Sequence, residues 1–341
     1  MKNKFNFGII GCGMISDFHA RAISEIDSAV LFGVTDNNIK RAQAFGEKFN
    51  CKSFSSIEEM LKCDEIDIVC ICTPSGLHAS QAVMVANAKK HFIVEKPMAI
   101  TREQLKDVID ACEANNVKGA VISQMRSDST VTKVKKAIEN GEIGEILMAN
   151  LYMKFFRSQE YYDSAGWRGT WAMDGGGALM NQGIHGIDTL QFLVGDVKSI
   201  YARCKTLARN IEVEDTAILN IEFKNGAIGT VIGTTSVTPG YPRVIEICGT
   251  RGTIEITDTV ITKWDVDGKS LNENEIKKTT NNNFNNPAAF DVSGHVNQIK
   301  DMIDAIKNNR RPVVDIYEGK KPIDIILSAY ESSKIDKNVN I

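Results

Sequence analysis

Long apolar runs are missing from this sequence: no 18-residue stretch is apolar enough to cross a bilayer. The N-terminus shows neither the apolar core nor the cleavage site of a signal peptide, so a cytoplasmic protein is expected. An excess of one charge is missing too. Forty Lys and Arg against 43 Asp and Glu leave a net charge of −3, which gives no electrostatic case for nucleic acid or an anionic membrane as partner. The five histidines (His19, His78, His91, His185 and His295) show no metal-ligand spacing, and no metal is expected. The eight cysteines are scattered, several of them inside apolar runs. Cys70 and Cys72 do not form a Cys-x-x-Cys pair, and on a strand they would point to opposite faces. They read as reduced core thiols. What remains is a soluble globular composition, 43% hydrophobic and 24% charged. At 341 residues, a prior of roughly 100–200 residues per domain gives two domains.

The most informative segment lies near the N-terminus. An apolar run from Phe5 to Ile10 leads into Gly11-Cys12-Gly13, after which Ile15, Phe18, Ala22, Ile23 and Ile26 recur at helical spacing. Strand, glycine turn and helix form the dinucleotide-binding order. Gly11 makes the tight turn, and Gly13 lets a pyrophosphate approach the backbone. The first helical residues, Met14 and Ile15, offer N–H groups and a partial positive charge to the phosphates. Ser16 stands where the fingerprint has its third glycine. Asp36 ends the next strand, where a carboxylate binds the adenosine ribose hydroxyls and repels a 2′-phosphate, favouring NAD over NADP. The alternative role for Asp36 is an N-cap for the next helix. Arg41, one turn into that helix, leaves some room for NADP.

Strands and helices alternate to about residue 122: Val30–Thr35, Ile66–Thr73, Phe92–Val94 and Gly119–Ser123 read as buried parallel strands. The expectation is an α/β fold with a doubly wound parallel sheet over residues 1–124 and ligands at the carboxyl ends of its strands. Thr73-Pro74 with His78, and then Glu95-Lys96-Pro97, fall at such ends and are candidate cofactor contacts. Lys96 would point into the nicotinamide crevice, where burial and a nearby cation suit it to proton transfer. Gln124 and Arg126 are further candidates for the same crevice.

Residues 125–341 read as an α+β domain. A linking helix (about Thr130 to Asn140) and a strand from Glu145 to Phe155 come first. The alternating runs Val197–Leu207, Thr216–Phe223, Ala227–Val237, Val244–Cys248 and Thr253–Ile256 follow, predicting an open, mostly antiparallel sheet. Leu271–Pro287 reads as a polar loop. Closing helices are expected at about His295–Asn308 and Pro322–Ile335. Within Gly175 to Asp188, a helical reading puts Asn181, His185 and Asp188 on one face, with His185 oriented by Asp188 for general-base work. Gly183 and Gly186 would mark a close approach by a ligand or by backbone. Tyr161, Trp167 and Arg168, with Arg157, Tyr162 and Trp171 nearby, suit a sugar ring carrying hydroxyls, with a carboxylate or phosphate as an optional further group; the alternative for these aromatics is a buried interface. Lys96 and His185 on different halves point to a cleft between domains.

Together the early Gly-x-Gly turn, Thr73-Pro74, Glu95-Lys96-Pro97, the Gly175 to Asp188 stretch and the ending Arg311-Pro312-Val313 through Tyr330-Glu331-Ser332 resemble the glucose–fructose oxidoreductase/inositol dehydrogenase/MocA (Gfo/Idh/MocA) family. The resemblance runs from Lys4 to about Ser333. It implies a Rossmann domain, and an α+β domain whose open sheet makes homodimers or homotetramers. It also implies hydride transfer between NAD(P) and a ring secondary alcohol of a sugar, inositol or sugar conjugate. By the same resemblance Lys96 and His185 are catalytic; the residues themselves make Asn181, Tyr161, Trp167, Arg168 and Asp188 candidate substrate contacts. Asn181 departs from the family's aspartate at that place, and an amide cannot join a carboxylate relay. The form Met180-Asn181-Gln182-Gly183-Ile184-His185 is similar to members acting on nucleotide sugars or glycosides, with C3 as the oxidised position. Two alternatives follow the same residues: a redox-neutral glycoside-cleaving enzyme that holds its NAD tightly, and a non-catalytic NAD-binding sensor.

Overall fold

The computed structural model describes residues 4–270 and 292–341; the loop expected over Leu271–Pro287 lies outside them. The chain divides into two compact units, the first made of residues to Gln124 together with 292–320, the second of the remainder.

In the first unit the apolar runs become six strands: β1 (Phe5–Ile10), β2 (Ala29–Thr35), β3 (Lys52–Phe54), β4 (Ile68–Ile71), β5 (His91–Val94) and β6 (Gly119–Val121). Their order is β3-β2-β1-β4-β5-β6, and every pairing is parallel. The order reverses between β1 and β4, so the carboxyl ends of those strands open the crevice that doubly wound sheets use for ligands. Helices α1 (Met14–Ser24), α2 (Ile39–Phe49), α3 (Ile57–Leu61), α4 (Ser75–Asn87) and α5 (Arg102–Asn115) connect them. β3 and α3 are too short to give a periodic signal and were not expected from the pattern. β4 is fully buried along its length, as a central parallel strand must be.

The second unit opens with α6 (Ser129–Glu139), the central strand β7 (Ile146–Lys154) and the short α7 (Gln159–Asp163). A π-helical turn, Ala178–Gly183, runs into α8 (Ile184–Val194). Strands β8 (Val197–Lys205), β9 (Thr216–Phe223), β10 (Ile228–Thr234), β11 (Val244–Gly249), β12 (Gly252–Thr257), β13 (Val260–Val266) and β14 (Lys269–Ser270) follow. With a last strand β15 (Val339–Asn340), nine strands among the described residues order as β14-β13-β12-β11-β7-β10-β9-β8-β15. The sheet is antiparallel except for β7 beside β10, so it is mixed rather than a pure meander. Ala149, Leu151 and Met153 of β7 are buried on one face. The opposite face leaves Met148, Ile218 and Ile228 exposed.

After residue 291 the chain returns to the first unit, although the sequence reading keeps everything after 124 in the second. Helix α9 (Ser293–Lys307) sets Val296, Ile299, Met302 and Ile303 into the same core as Phe5, Phe7, Ile9, Phe18 and Ile23. Helix α10 (Ile316–Ile335) starts six residues before the expected Pro322, which lies inside it. The Asp315 carboxylate accepts the Tyr317 and Glu318 N–H groups and so caps the first turn.

Candidate active site

The glycine turn joins β1 to α1. Gly11 has φ +90°, and a Cβ there would lie 2.9 Å from the Thr73 side chain and 3.0 Å from the Cys72 carbonyl oxygen. Only glycine suits that turn. Beyond Gly13 a Cβ would meet nothing within 4 Å, and α1 starts there without a side-chain cap. Its first N–H groups therefore have no side-chain acceptor at the cap, and of the first residues Met14 is exposed and Ile15 half-buried. The buried Ser16 hydroxyl donates to the Gly13 carbonyl at 2.6 Å, so a small side chain fits the third glycine position. Asp36 accepts the Cys12 and Asn38 N–H groups, each at 2.8 Å, with Arg41 at 3.7 Å. The cap of α2 is Asn38, not Asp36. Asp36 thus ties the end of β2 to the glycine turn, and its remaining lone pairs suit ribose hydroxyls. These features fit an NAD dinucleotide: an uncapped helix end, an open glycine and a carboxylate at the ribose position.

Thr73 follows β4 and donates to the Gln81 side chain at 2.6 Å. His78 is buried, its two ring nitrogens 2.6 Å from the Thr73 carbonyl oxygen and 2.7 Å from that of Pro97. It braces the Glu95-Lys96-Pro97 turn from behind rather than opening toward a ligand. Glu95 is buried as well. Its Oε1 lies 2.9 Å from His19 Nε2 and 3.4 Å from His295 Nε2. Burial works against its charge, but the hydrogen bonds from His19 and His295 win and hold the carboxyl well below its ordinary value. Burial drives His19 the other way, toward the neutral form. Lys96, between these two buried neighbours, is itself half-buried.

The ligating atoms of His19, Glu95 and His295 lie within 4.8 Å of one another, close enough for a metal ion. The chemistry fits poorly. A metal-bound imidazole gives its other N–H to a carboxylate or carbonyl, and the buried Nδ1 atoms of His19 and His295 have no such partner among the described residues. The cluster is better described as a carboxylate held by two imidazoles.

In the second unit the π-helical turn breaks the 3.6-residue period between Asn181 and His185, so their spacing of four does not stack them as an α-helix would. Gly186 gives α8 its close approach to β7. A Cβ there would sit 2.7 Å from Met153 Sδ and 3.1 Å from Leu151 Cδ1. The close neighbour is thus protein, not a ligand. His185 is half-buried. Asp188 is buried against Arg126, with Nη2–Oδ1 at 2.6 Å and Nε–Oδ2 at 3.0 Å. That ion pair, absent from the sequence reading, joins the carboxylate assigned to His185 to the arginine assigned to the nicotinamide crevice.

The remaining predicted contacts come together. Tyr161 Oη accepts from Arg168 at 2.6 Å and from Gln182 at 3.0 Å, and Arg157 donates to the Gln182 oxygen at 2.9 Å. The Arg168 guanidinium lies over the rings of Tyr161 (4.3 Å) and Trp167 (4.6 Å), with no carboxylate partner among the described residues. Asn181 donates to the buried Asp174 and accepts from Gln182. Beneath the π turn Glu214 accepts the Gly177 and Leu179 N–H groups, at 3.0 and 2.8 Å, and the Tyr330 hydroxyl at 3.0 Å. Burial pushes Glu214 up to about 7 against the pull of these donors.

His19, Asp174, Gln182 and Glu214 carry no assignment from sequence. One signal was available: His19 lies among Ile15, Phe18, Ala22 and Ile23 on the apolar face of α1, and a polar group there needs a buried partner.

Residues 5–123 match the family model described as "Oxidoreductase family, NAD-binding Rossmann fold", and residues 131–255 match "GFO/IDH/MocA C-terminal domain". The WlbA dehydrogenase from Bordetella pertussis, solved in complex with NADH and UDP-GlcNAcA, is 35% identical, covers 99% of each chain and superposes with a TM-score of 0.88. Glucose-6-phosphate 3-dehydrogenase of Bacillus subtilis is 31% identical over 71% of this chain and 69% of its own. Myo-inositol 2-dehydrogenase of Thermotoga maritima is 26% identical over 76% of this chain and 78% of its own.

Proposed function

This chain belongs to the Gfo/Idh/MocA oxidoreductases and is an NAD-dependent dehydrogenase, and we propose that it oxidises a ring hydroxyl of a UDP-linked N-acetylhexosaminuronic acid. The observation that carries this reading is the full-length likeness to WlbA, whose solved complex holds NADH and UDP-GlcNAcA. The residues add chemical support. Arg168 is a cation stacked between Tyr161 and Trp167, and Arg157 stands beside them through Gln182. A guanidinium held in place by aromatic rings suits the carboxylate of an acidic sugar better than a neutral polyol does. Asn181, where an aspartate is the family habit, can position a hydroxyl without taking its proton. The C3 hydroxyl is the site we favour, because glucose-6-phosphate 3-dehydrogenase is among the relatives.

Bound NAD would supply the hydride acceptor for the carbinol carbon. The uncapped first turn of α1 and Gly13 would hold its pyrophosphate, and Asp36 would take its ribose hydroxyls. His185 removes the hydroxyl proton as general base. Lys96 donates a hydrogen bond to the same oxygen and stabilises the alkoxide charge as it develops.

The test is a panel of UDP-GlcNAcA, UDP-GlcNAc, glucose 6-phosphate and myo-inositol with NAD, followed by NADH absorbance. UDP-GlcNAcA should be oxidised with the highest kcat/KM. Lys96→Ala and His185→Ala should each lower kcat by ~10²–10⁴-fold with NADH affinity kept. Preference for a neutral substrate would refute the acidic-sugar assignment, and near-normal turnover in both variants would refute the catalytic one.

A further inference from the structure

The turn that carries Lys96 is fastened at three points inside the first unit. The Glu95 N–H donates to the Ile71 carbonyl at 3.0 Å. The Pro97 carbonyl meets the His78 ring at 2.7 Å. The third fastening is the Glu95 side chain, and it is the unusual one. A carboxylate only 6% exposed is held through a single oxygen by two imidazoles, from His19 on α1 and His295 on α9. The two rings pack edge to face with centroids 5.0 Å apart.

The protonation pattern follows from what the rings lack. Among the described residues both Nδ1 atoms are buried without a partner. An orphaned N–H in that position would cost the full desolvation penalty, whereas a bare ring nitrogen costs less. The tautomer that satisfies both rings carries its proton on Nε2, the atom facing Glu95. Both histidines are then donors and Glu95 is a pure acceptor. No part of the cofactor site needs this arrangement for packing alone, since an apolar trio of similar volume would fill the same space without burying a charge.

We propose that His19 and His295 are positioning residues for Lys96: they clamp the Glu95 side chain from α1 and α9 and thereby fix the backbone from which the lysine projects. This rests on the reading of Lys96 as the group that binds the reacting oxygen. A lysine has a flexible four-carbon stem, so its reach to one oxygen atom is defined only if its Cα is held. The clamp also joins the Lys96 turn to the helix whose first turn would receive the pyrophosphate, since His19 lies one to two turns further along α1. Losing the Nε2 donor frees one end of the Lys96 turn while leaving the substrate-facing residues of the second unit untouched.

The experiment compares His19→Met, which keeps volume and removes the donor, with His19→Gln, which keeps an N–H donor at a similar reach. Misplacement of a catalytic group by about 1 Å costs up to ~10²-fold, so His19→Met should lower kcat about tenfold or more. KM for the sugar and the Kd for NADH, read by cofactor fluorescence, should stay within about twofold, and His19→Gln should recover most of kcat. The same pair of changes at His295 repeats the test from α9 if a His19 variant does not fold. The decisive arm is the Lys96→Ala background under single-turnover conditions. There the methionine change should cost nothing further, because residues acting as a unit are not additive. An equal loss of kcat in both backgrounds, or a glutamine variant as impaired as the methionine one, overturns the proposal. Full activity in Lys96→Ala alone would instead overturn the reading of Lys96, and the two failures are told apart.

Discussion

Breaking the Arg126–Asp188 pair decides whether Asp188 belongs to the chemistry or to the scaffold. The two side chains are each only 4% exposed, and three contacts of 2.6–3.1 Å join them. Removing one member of such a buried pair costs about 3–5 kcal/mol, because the other charge is left in a dry site. Asp188→Leu should therefore destabilise the second unit by that amount. With a urea m-value of ~3 kcal/mol/M, the midpoint of its tryptophan-detected transition should fall by roughly 1–1.7 M. All three tryptophans, Trp167, Trp171 and Trp264, lie in that unit, so the signal reports on it directly. Replacing both partners by apolar residues of similar size is often neutral, so Arg126→Met/Asp188→Leu should recover most of the loss. An Asp188 that orients His185 predicts a different pattern. There the leucine change would lower kcat by ~10²–10⁴-fold, with little loss of stability and no rescue by Arg126→Met. That pattern would refute the scaffold assignment.

Two further predictions concern carboxylates. Asp36→Asn keeps the shape and removes the charge expected to face the ribose, but it keeps only one of the two accepted hydrogen bonds, because Cys12 and Asn38 donate to different oxygens and the amide NH2 replaces one of them. A charged hydrogen bond is worth about 1.5–3 kcal/mol, so the ratio of kcat/KM for NAD over NADP should fall about tenfold or more; an unchanged ratio would remove Asp36 from cofactor choice. For Glu214, a folded value of about 7 against an ordinary 4.5 means that the folded state binds the proton more tightly. Its stabilising contribution is full below pH 4.5 and is lost as pH rises toward 7. The stability of the parent protein minus that of Glu214→Gln, measured by urea melts across this window, should decline with pH. A rising difference would mean that the Gly177, Leu179 and Tyr330 donors outweigh burial.

What could be read from the sequence was what is local. The strands of the first unit announce themselves as apolar runs, and the glycine turn is visible because strand, Gly11, Gly13 and the amphipathic face of α1 follow one another without a gap. The π turn before α8 was not visible, since no composition separates it from an ordinary helical turn. Nor was the return of α9 to the first unit: its face of Val296, Ile299, Met302 and Ile303 says that the helix is buried, but not against which sheet. The buried acids show the same limit most sharply. Asp188 sits among Ile184, Ile187 and Leu190, Glu95 closes a buried strand, and Glu214 follows Val213 into the core. A charge in such company requires a partner, and that requirement can be read from the sequence. Its address cannot. Spacing along a helix offers Asp188 only His185, three residues back, whereas its partner Arg126 is 62 residues away. Glu95 finds its donors at separations of 76 and 200, and Glu214 finds its hydroxyl at 116. Topology alone brings such pairs together, so a carboxylate beside a histidine in sequence is weak evidence for a catalytic pair until every other cation and donor that could reach it has been placed.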